Sequence, residues 1–385
     1  MNMKKYLLLS LSLICLLFTA CNRSVNRSVP QIDLNASYPE KSIAIQDFAK
    51  RVEYVALETS KEVLVSGNPV AITDDYIFYI ISGTFYIFHI DGAFLRSFSK
   101  SGRGDQEFFY YSGSLYCNDP NEIFVLEAMT NRVLVYDYDG NFLRNFSLPD
   151  GYSMGSLHEY DRESILAHNR GTENMSAYVL ISKQDGSVLK EIDLGLTERQ
   201  STRIIAHVAD GNETRVMPVV FSISYLNRDD KGFILSDPAL DTMYRMDYKG
   251  NLIPMISRTP LRGANDPEIL FDVWFESADF IFANSVKMEY DPVTRKSAPF
   301  RFYLYSKKEN EVYIRSLHNR DINDGESFKF YPIRFEAGGK NVIFTRYEPS
   351  FLLKMLEEGK LMGELKEIAL KIEEDDNPVL AIFYF

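Results

Sequence analysis

The segment Asn131–Phe146, NRVLVYDYDGNFLRNF, repeats the pattern of Thr84–Phe98, TFYIFHIDGAFLRSF. Each copy consists of an alternating apolar run, an Asp-Gly pair and a second alternating run. Asp-Gly favours a tight β-turn, because glycine adopts a positive φ without steric cost. The chain therefore contains the same β-hairpin twice, with weaker copies further on, and a repeated hairpin unit is typical of a β-propeller.

The hairpin turns give the repeat length. They stand at Asp91-Gly92, Asp139-Gly140, Asp185-Gly186 and Lys249-Gly250, with Glu309-Asn310 as a degenerate fifth. The gaps of 48, 46, 64 and about 60 residues match a four-stranded blade whose loops grow along the chain. We therefore predict an all-β fold, a six-bladed β-propeller.

The C-terminal part of the chain differs from the repeat. Apolar residues recur at three- and four-residue steps over 350–374, which predicts an amphipathic helical insertion, although Gly359 and Gly363 weaken its middle. The last residues, Pro378–Phe385, form an apolar strand. Because an open ring would expose unpaired strand edges, we expect Arg51–Leu57 to complete the last blade beside this closing strand.

The N-terminus has the form of an export signal. Lys4 and Lys5 precede the apolar run Tyr6–Phe18, and the run ends at Phe18-Thr19-Ala20-Cys21. Small residues before a cysteine resemble a bacterial lipobox, so we expect a signal peptide over 1–20 and lipidation of Cys21; the alternative is a plain secretory signal. We expect a flexible tether over 21–40 and the propeller over 41–385.

Composition narrows the location and the partners. The net charge of −12, without a cluster of Lys or Arg, disfavours nucleic-acid binding. Residues 22–27, which would follow the lipidated cysteine, contain no acid, and this favours an anchor in the periplasm-facing side of the outer membrane. The remaining cysteine, Cys117, is predicted to be a small buried residue rather than a reactive thiol.

Several segments resemble known propeller proteins. The quoted stretches are GRGDQEF at Gly102–Phe108, NEIFV at Asn121–Val125, VEYVALET at Val52–Thr59 and DNPVL at Asp376–Leu380. With the hairpin at 131–143 they resemble NHL repeats, and the whole layout is similar to a family of bacterial six-bladed β-propeller lipoproteins. The chain has Gly104-Asp-Gln-Glu-Phe108 where that family has Gly-Pro-Gly-Glu-Phe. The resemblance implies the fold and the anchorage, and it carries no catalytic residues over.

Two short motifs resemble known catalytic or metal-binding patterns. Gly151-Tyr-Ser-Met-Gly155 matches a nucleophile elbow, but no helix pattern follows it, which favours a loop between blades. Asp321-Ile-Asn-Asp324-Gly325 is one residue short of a calcium loop, so a polar turn is favoured over a calcium site. We therefore expect no cofactor, with calcium at this loop as the alternative.

A propeller gathers its binding residues where loops meet around the central channel. The loops that join second to third strands and successive blades carry six charged candidates: Arg103, Glu127, Arg132, Arg170, Asp237 and Arg346. The sequence favours a membrane-anchored binding or scaffold module for a glycan, peptide or protein partner. The alternative is a lyase or hydrolase that works in the channel with paired carboxylates or a bound metal. Such an enzyme should have carboxylates or histidines clustered at the channel mouth.

Overall fold

The computed structural model describes residues 29–170, 175–196, 198–210, 213–323, 333–337 and 340–385. Across these residues the strands form six sheets of four or five strands, together with two small two-stranded ribbons. The six sheets are the blades of a β-propeller, which confirms the predicted fold class. Cys21 and the rest of the predicted signal lie outside the described residues.

Three N-terminal strands join blades that the later sequence builds: β1 (Gln31–Asp33), β2 (Glu40–Ala44) and β3 (Arg51–Ala56). β1 and β2 add as parallel outer strands to blades 4 and 5, and β3 completes blade 6. The expected tether over 21–40 is therefore wrong for residues 31–34, since Ile32 and Leu34 are buried in the core. Two apolar residues in a polar stretch were too short a pattern to show this strand.

Blades 1 to 3 are regular four-stranded antiparallel sheets in chain order. Their strands are β4 (Ala71–Ile72), β5 (Tyr76–Ile81), β6 (Thr84–His89) and β7 (Phe94–Ser99); β8 (Tyr111–Asn118), β9 (Asn121–Glu127), β10 (Arg132–Asp137) and β11 (Phe142–Ser147); and β12 (Met154–Glu159), β13 (Ser164–Asn169), β14 (Tyr178–Ser182) and β15 (Val188–Ile192). The quoted hairpins are β6–β7 and β10–β11. At their turns Gly92 and Gly140 have φ of 94° and 86°, as the Asp-Gly pairs predicted.

A hairpin that the sequence reading did not predict stands between blades 3 and 4. It consists of β16 (Arg203–Asp210) and β17 (Glu213–Val220), paired along their whole length. Its inner face packs on blade 5, where Ala206, Val208 and Val219 contact the cluster around Leu270. We call this element the ribbon.

Blades 4 and 5 follow the ribbon. Their strands are β18 (Leu226–Asp229), β19 (Gly232–Leu235), β20 (Thr242–Met246) and β21 (Leu252–Thr259); and β22 (Ile269–Glu276), β23 (Phe280–Lys287), β26 (Arg301–Ser306) and β27 (Glu311–His318), with the small ribbon β24 (Tyr290–Asp291) and β25 (Lys296–Ser297) inserted. A 3-10 turn at Ile45–Asp47 links β2 to β3.

Blade 6 has the strand order β28 (Ile333–Ala337), β29 (Lys340–Tyr347), β30 (Val379–Tyr384), β3. The chain thus closes the ring by pairing its N-terminal β3 with its C-terminal β30, from Arg51 opposite Tyr384 to Ala56 opposite Val379. This pairing confirms the predicted closure.

The predicted single helical insertion is two helices, α1 (Pro349–Glu357) and α2 (Gly363–Ala369). The break falls at Gly359, whose φ of 67° lies in the left-handed region that ends helices. Leu352 of α1 and Leu365 of α2 are buried in the core between blades 5 and 6, so the insertion caps the closure of the ring. Among the described residues, neither helix has the length and apolar character needed to cross a membrane.

Candidate functional site

A cleft of about 710 Å³ opens between blades 3 and 4. In each blade the loop between the second and third strands and the connection to the next blade lie at the same end, because the four strands alternate in direction. The cleft is at this end of the propeller. It is lined by the end of β13, the connection that leads into the ribbon, the residues before β18 and the loop after β19.

Asp237 lies at the base of the cleft and is fully buried. Its Oδ2 accepts hydrogen bonds from His168 Nε2 and from Arg199 Nη2, each at 2.9 Å, and its Oδ1 accepts from the Ala239 N–H at 2.9 Å. Burial acts to raise the pKa of Asp237, but the hydrogen bond from His168 and the positive charge of Arg199 outweigh it and hold the pKa below its usual range. The side chain is therefore an anchored carboxylate.

His168, in β13, is the neutral partner of this carboxylate. Its ring is 1% exposed and stacks on Tyr225, with centroids 4.3 Å apart and 16° between the planes. Burial lowers the pKa of His168, and the opposing hydrogen bond to Asp237 does not compensate. Nε2 consequently carries the proton shared with Asp237, and Nδ1 has no hydrogen-bond partner among the described residues.

Three arginines line the cleft, and they differ in how far they are engaged. Arg199 is fixed, since its Nη2 also donates to the Asn169 carbonyl at 2.6 Å. Arg170 is exposed and, among the described residues, donates a hydrogen bond to the Met154 carbonyl at 3.1 Å. Arg203 is exposed, and within the described residues it forms no ion pair. Among the described residues that line the cleft there are three guanidinium groups and one carboxylate, so these residues make the cleft locally positive in a chain of net charge −12.

The lack of a side chain at Gly155 allows the Arg170 side chain to take its observed position. A Cβ added at Gly155 would lie 2.7 Å from Arg170 Nε and 2.8 Å from its Cγ and Cδ. The arginine side chain therefore lies directly over the glycine backbone at the start of β12. Gly155, the second glycine of the elbow-like motif, makes this contact. Ser153 of the same motif lies in the loop just before β12, in agreement with the predicted loop between blades.

The remaining four predicted site residues lie elsewhere. Glu127 is 5% exposed and accepts hydrogen bonds from the Phe109 N–H at 3.0 Å, from Thr130 Oγ1 at 2.6 Å and from Arg132 Nη2 at 3.2 Å. Arg132 also donates to the carbonyls of Asp105 and Glu107, and so fixes the loop before β8. These two residues form a closed pair on blade 2.

Arg103 and Arg346 are likewise engaged locally. The Arg103 guanidinium lies 4.9 Å from the centroid of the Phe109 ring, at the edge of an exposed aromatic patch that includes Tyr110 and Tyr111. Arg346 donates to the Gly67 carbonyl and pairs with Glu348. Of the six sequence-predicted residues, Arg170 and Asp237 line the cleft, whereas Glu127 and Arg132 pair with each other on blade 2.

Other predicted features have simple outcomes. Cys117 is buried, as predicted, and burial raises the pKa of its thiol. Asp321 accepts a hydrogen bond from Tyr54 Oη at 2.5 Å, while Asp324 and Gly325 of the calcium-like loop lie outside the described residues. Across the part of the chain that the structure describes, no group of three or more His, Cys, Asp or Glu side chains is arranged to hold a metal ion.

Sequence reasoning missed Arg199, Arg203 and Tyr225, which complete the cleft. A signal was present: Asp210-Gly211 is another Asp-Gly pair between two apolar runs, and it marks the ribbon whose first residue is Arg203. Arg199 and Tyr225 flank that element in irregular chain. No local pattern indicates that they meet across it.

The fold and the cleft define a six-bladed β-propeller with a positively charged cleft at one end. The family model described as a domain of unknown function, DUF4934, matches residues 29–384, and the chain belongs to this family. No curated protein matches the chain.

Two of the similar solved structures come from Bacteroides species. A Bacteroides fragilis NCTC 9343 protein named as a candidate exported protein has a TM-score of 0.60 at 15% identity, covering 93% of this chain and 99% of that one. A member of the DUF4221 family from Bacteroides vulgatus has a TM-score of 0.47 at 10% identity, with 88% and 97% covered. At 15% identity, the similarity to the Bacteroides fragilis protein shows the fold alone.

Proposed function

We propose that the protein is an exported, lipid-anchored binding module whose cleft between blades 3 and 4 takes a ligand with an anionic group. The observation that carries this is the surplus of positive charge: Asp237 is already occupied by His168 and Arg199, whereas Arg170 and Arg203 face the cleft from exposed positions. Guanidinium groups form paired, charge-assisted hydrogen bonds with carboxylates and similar anions.

The anchorage is proposed from the sequence. The apolar run before Cys21 and the small residues beside it support export and lipidation, with the propeller held on the periplasmic side of the outer membrane. The fold supports a binding or scaffold role without selecting a partner, since propellers serve many functions. An intact-mass measurement of the protein isolated from membranes, compared with a Cys21→Ser variant, tests the lipid directly.

The cleft is tested by thermal shift with small anions: succinate, citrate, glucuronate and inorganic phosphate. A ligand that binds only the folded state raises the melting temperature, and at a hundred times its Kd the stabilisation is about 2.7 kcal/mol. We expect at least one carboxylate to raise the melting temperature of the native protein. We expect Arg170→Ala and Arg203→Ala to reduce the shift.

Arg162→Ala is the matched control, because Arg162 is exposed in the turn between β12 and β13, at the opposite end of the same blade. The proposal fails if no anion shifts the melting temperature, or if the control reduces the shift as much as the cleft variants do.

The enzyme alternative has one observation in its favour, the His168–Asp237 pair beside the cleft. A histidine held by a carboxylate is a frequent general base. Turnover of a bound ligand that is lost in His168→Gln, while binding of that ligand persists, would support the enzyme. Unchanged ligand after prolonged incubation would favour the binding module.

A further inference from the structure

The described wall of the cleft between blades 3 and 4 is polar. Ligand pockets are usually lined mainly by hydrophobic and aromatic side chains. Among the described residues that line this cleft, only Pro238 has a purely aliphatic side chain, and the others carry polar or charged groups. The cleft volume of about 710 Å³ lies within the range of about 300–1,000 Å³ that is typical of sites for molecules larger than a simple acid. A ligand that fits such a wall presents hydrogen-bonding groups over most of its surface.

Tyr225 supplies a ring surface to this wall. His168 packs against one face of the Tyr225 ring, with the two centroids 4.3 Å apart. The ring is half-buried and lines the cleft, and among the described residues no second ring stacks on it. Its uncovered surface therefore borders the cleft. The face of an aromatic ring carries partial negative charge, so it attracts the partially positive C–H groups of a sugar ring.

Hydroxyl groups stand beside this ring. Tyr225 Oη and Thr202 Oγ1 lie 2.9 Å apart and share one hydrogen bond. A hydroxyl group can donate once and accept twice, so the pair retains hydrogen-bonding capacity for a ligand. The side chains of Gln200 and Ser201 line the cleft next to Thr202 in the chain. These amide and hydroxyl groups are suited to the hydroxyls around the edge of a sugar ring.

Positive charge lies close to the same ring. Burial raises the pKa of Tyr225, and the hydrogen bond with Thr202 and the positive charge of Arg170 oppose this rise. The Arg170 guanidinium is therefore within electrostatic reach of the Tyr225 hydroxyl. Arg170 and Arg203 are exposed and form no ion pair with any described residue. A ligand that meets the ring and the hydroxyl pair can thus bring an anionic substituent to Arg170.

We infer that the ligand is an acidic oligosaccharide, with one sugar ring on Tyr225 and carboxylates at Arg170 and Arg203. This inference rests on the proposed function of the cleft and names its ligand class. A uronate combines the required features in one unit, because its ring has a C–H face, hydroxyls at its edge and a carboxylate. The carboxylate binds a guanidinium group through paired, charge-assisted hydrogen bonds. Linked uronate units would extend over a cleft of this size.

Other anionic ligands use less of the wall. Citrate and succinate would meet the arginines but have no ring for Tyr225. A nucleotide base is normally held between aromatic or apolar side chains, whereas the face of Tyr225 opposite the cleft is taken by His168 and the described lining supplies no second apolar wall beyond Pro238. A peptide gains specificity from pockets for its side chains, and the described lining is polar apart from Pro238.

The experiment is isothermal titration calorimetry of the purified protein with di-, tri- and tetrasaccharides that contain galacturonate, mannuronate, guluronate or glucuronate. We expect at least one of them to bind at least about tenfold more tightly than citrate, because it adds the ring and hydroxyl contacts. Its methyl ester keeps the rings and hydroxyls but loses the negative charge, and it should bind at least about tenfold more weakly than the acid. This comparison uses the native protein alone, so it does not depend on the folding of a variant.

Two substitutions test the ring. Tyr225→Leu removes the flat ring surface and keeps an apolar side chain against His168, so the preference for the oligosaccharide over citrate should fall about tenfold. Tyr225→Phe retains the ring and should lose less than about threefold in affinity. Tyr110→Leu is the matched control, because Tyr110 is a 52% exposed tyrosine just before β8, outside the cleft, and it should leave oligosaccharide binding unchanged.

The outcomes separate the two proposals. If small anions raise the melting temperature but no acidic oligosaccharide binds more tightly than citrate, the oligosaccharide inference is overturned while the charged cleft remains. Equal binding of an acid and its methyl ester would also overturn it, as would loss of binding in Tyr110→Leu but not in Tyr225→Leu. Tighter binding of adenosine monophosphate than of any oligosaccharide would overturn it in favour of a nucleotide. If neither small anions nor oligosaccharides bind, the proposed function itself is removed.

Discussion

Blade 2 and the cleft between blades 3 and 4 each place an arginine beside a buried carboxylate at the same end of the propeller. In blade 2, Glu127 accepts three hydrogen bonds, and Arg132 donates to Glu127 and to two loop carbonyls, so the pair is complete. In the cleft, Asp237 is equally well satisfied, yet two further arginines remain over an open volume. The comparison teaches that an arginine beside a buried carboxylate does not distinguish the two regions. The cleft differs because Arg170 and Arg203 form no ion pair with any described residue.

The largest expected loss of stability follows from a substitution at the base of the cleft. Asp237→Ala removes the acceptor of both His168 and Arg199 in a fully buried position. Breaking such a pair leaves a partly buried charge without compensation and costs about 3–5 kcal/mol. Urea denaturation should show this loss in the free energy of unfolding. A loss below about 1 kcal/mol would mean that the cluster is not the rigid support that the comparison requires.

The closed pair on blade 2 should respond differently. Glu127→Ala removes an acceptor from Thr130, Arg132 and the Phe109 N–H, and it should lower the free energy of unfolding by about 1–3 kcal/mol. The thermal shift by small anions should stay unchanged, because no cleft residue contacts Glu127. Loss of the anion shift in this variant would contradict the separation of the two regions. Gln at the same position is the conservative control.

Acidification should distinguish the two clusters. Burial lowers the folded-state pKa of His168 below its ordinary 6.5, so the unfolded state takes up a proton first as the pH falls. The contribution of neutral His168 to the free energy of unfolding is complete above pH 6.5 and is lost as the pH falls below it. The loss is up to about 1.4 kcal/mol for each unit by which the folded and unfolded pKa values differ. Asp237, whose pKa is also lowered, extends the loss to more acidic pH.

In blade 2, burial acts to raise the pKa of Glu127, but its hydrogen bonds and Arg132 lower it overall. Its contribution is present above pH 4.5 and is lost only as the pH falls further. Stability between pH 5 and 7 should therefore become flatter in His168→Gln and keep its slope in Glu127→Gln. Equal slopes for both variants and the native protein would contradict the assignment of a neutral, buried His168.

The smallest effect on stability is expected at Gly155. Gly155→Ala places a methyl group where Arg170 lies, so the guanidinium must move while the backbone of β12 can remain. The free energy of unfolding should change by less than about 1 kcal/mol. The Kd of the anion that binds the native protein should rise roughly fivefold, which is about 1 kcal/mol of binding free energy. Unchanged affinity would show that the position of Arg170 does not matter to the cleft.

The fold was largely predictable, and the reason is local. Each Asp-Gly turn with its flanking alternation specifies a hairpin within about fifteen residues, and the observed turns at Gly92, Gly140, Gly186 and Gly250 all have positive φ. The closure between β3 and β30 followed from the need to pair two strand edges. Residues 31–34 could not be predicted, because their burial depends on an outer edge of blade 4 that is built more than two hundred residues later.

The candidate site was predictable only in part. Arg170 and Asp237 could be named because both follow second strands of recognisable blades. Glu127 and Arg132 satisfied the same rule, and only their mutual hydrogen bonds removed them from the surface available to a ligand. Arg199 and Arg203 lie in the long connection between blades 3 and 4, whose path the sequence did not show.

The sequence by itself determined the repeat, the six blades, the ring closure and the helical interruption, because turn preference and hydrophobic periodicity act over neighbouring residues. Only the tertiary structure decided which charges are paired and which face open space, because that depends on side chains brought together from positions far apart in the chain. His168 and Asp237 are separated by 69 residues and meet at 2.9 Å. The ribbon, whose outer face no other described element covers, is likewise a product of how the blades pack.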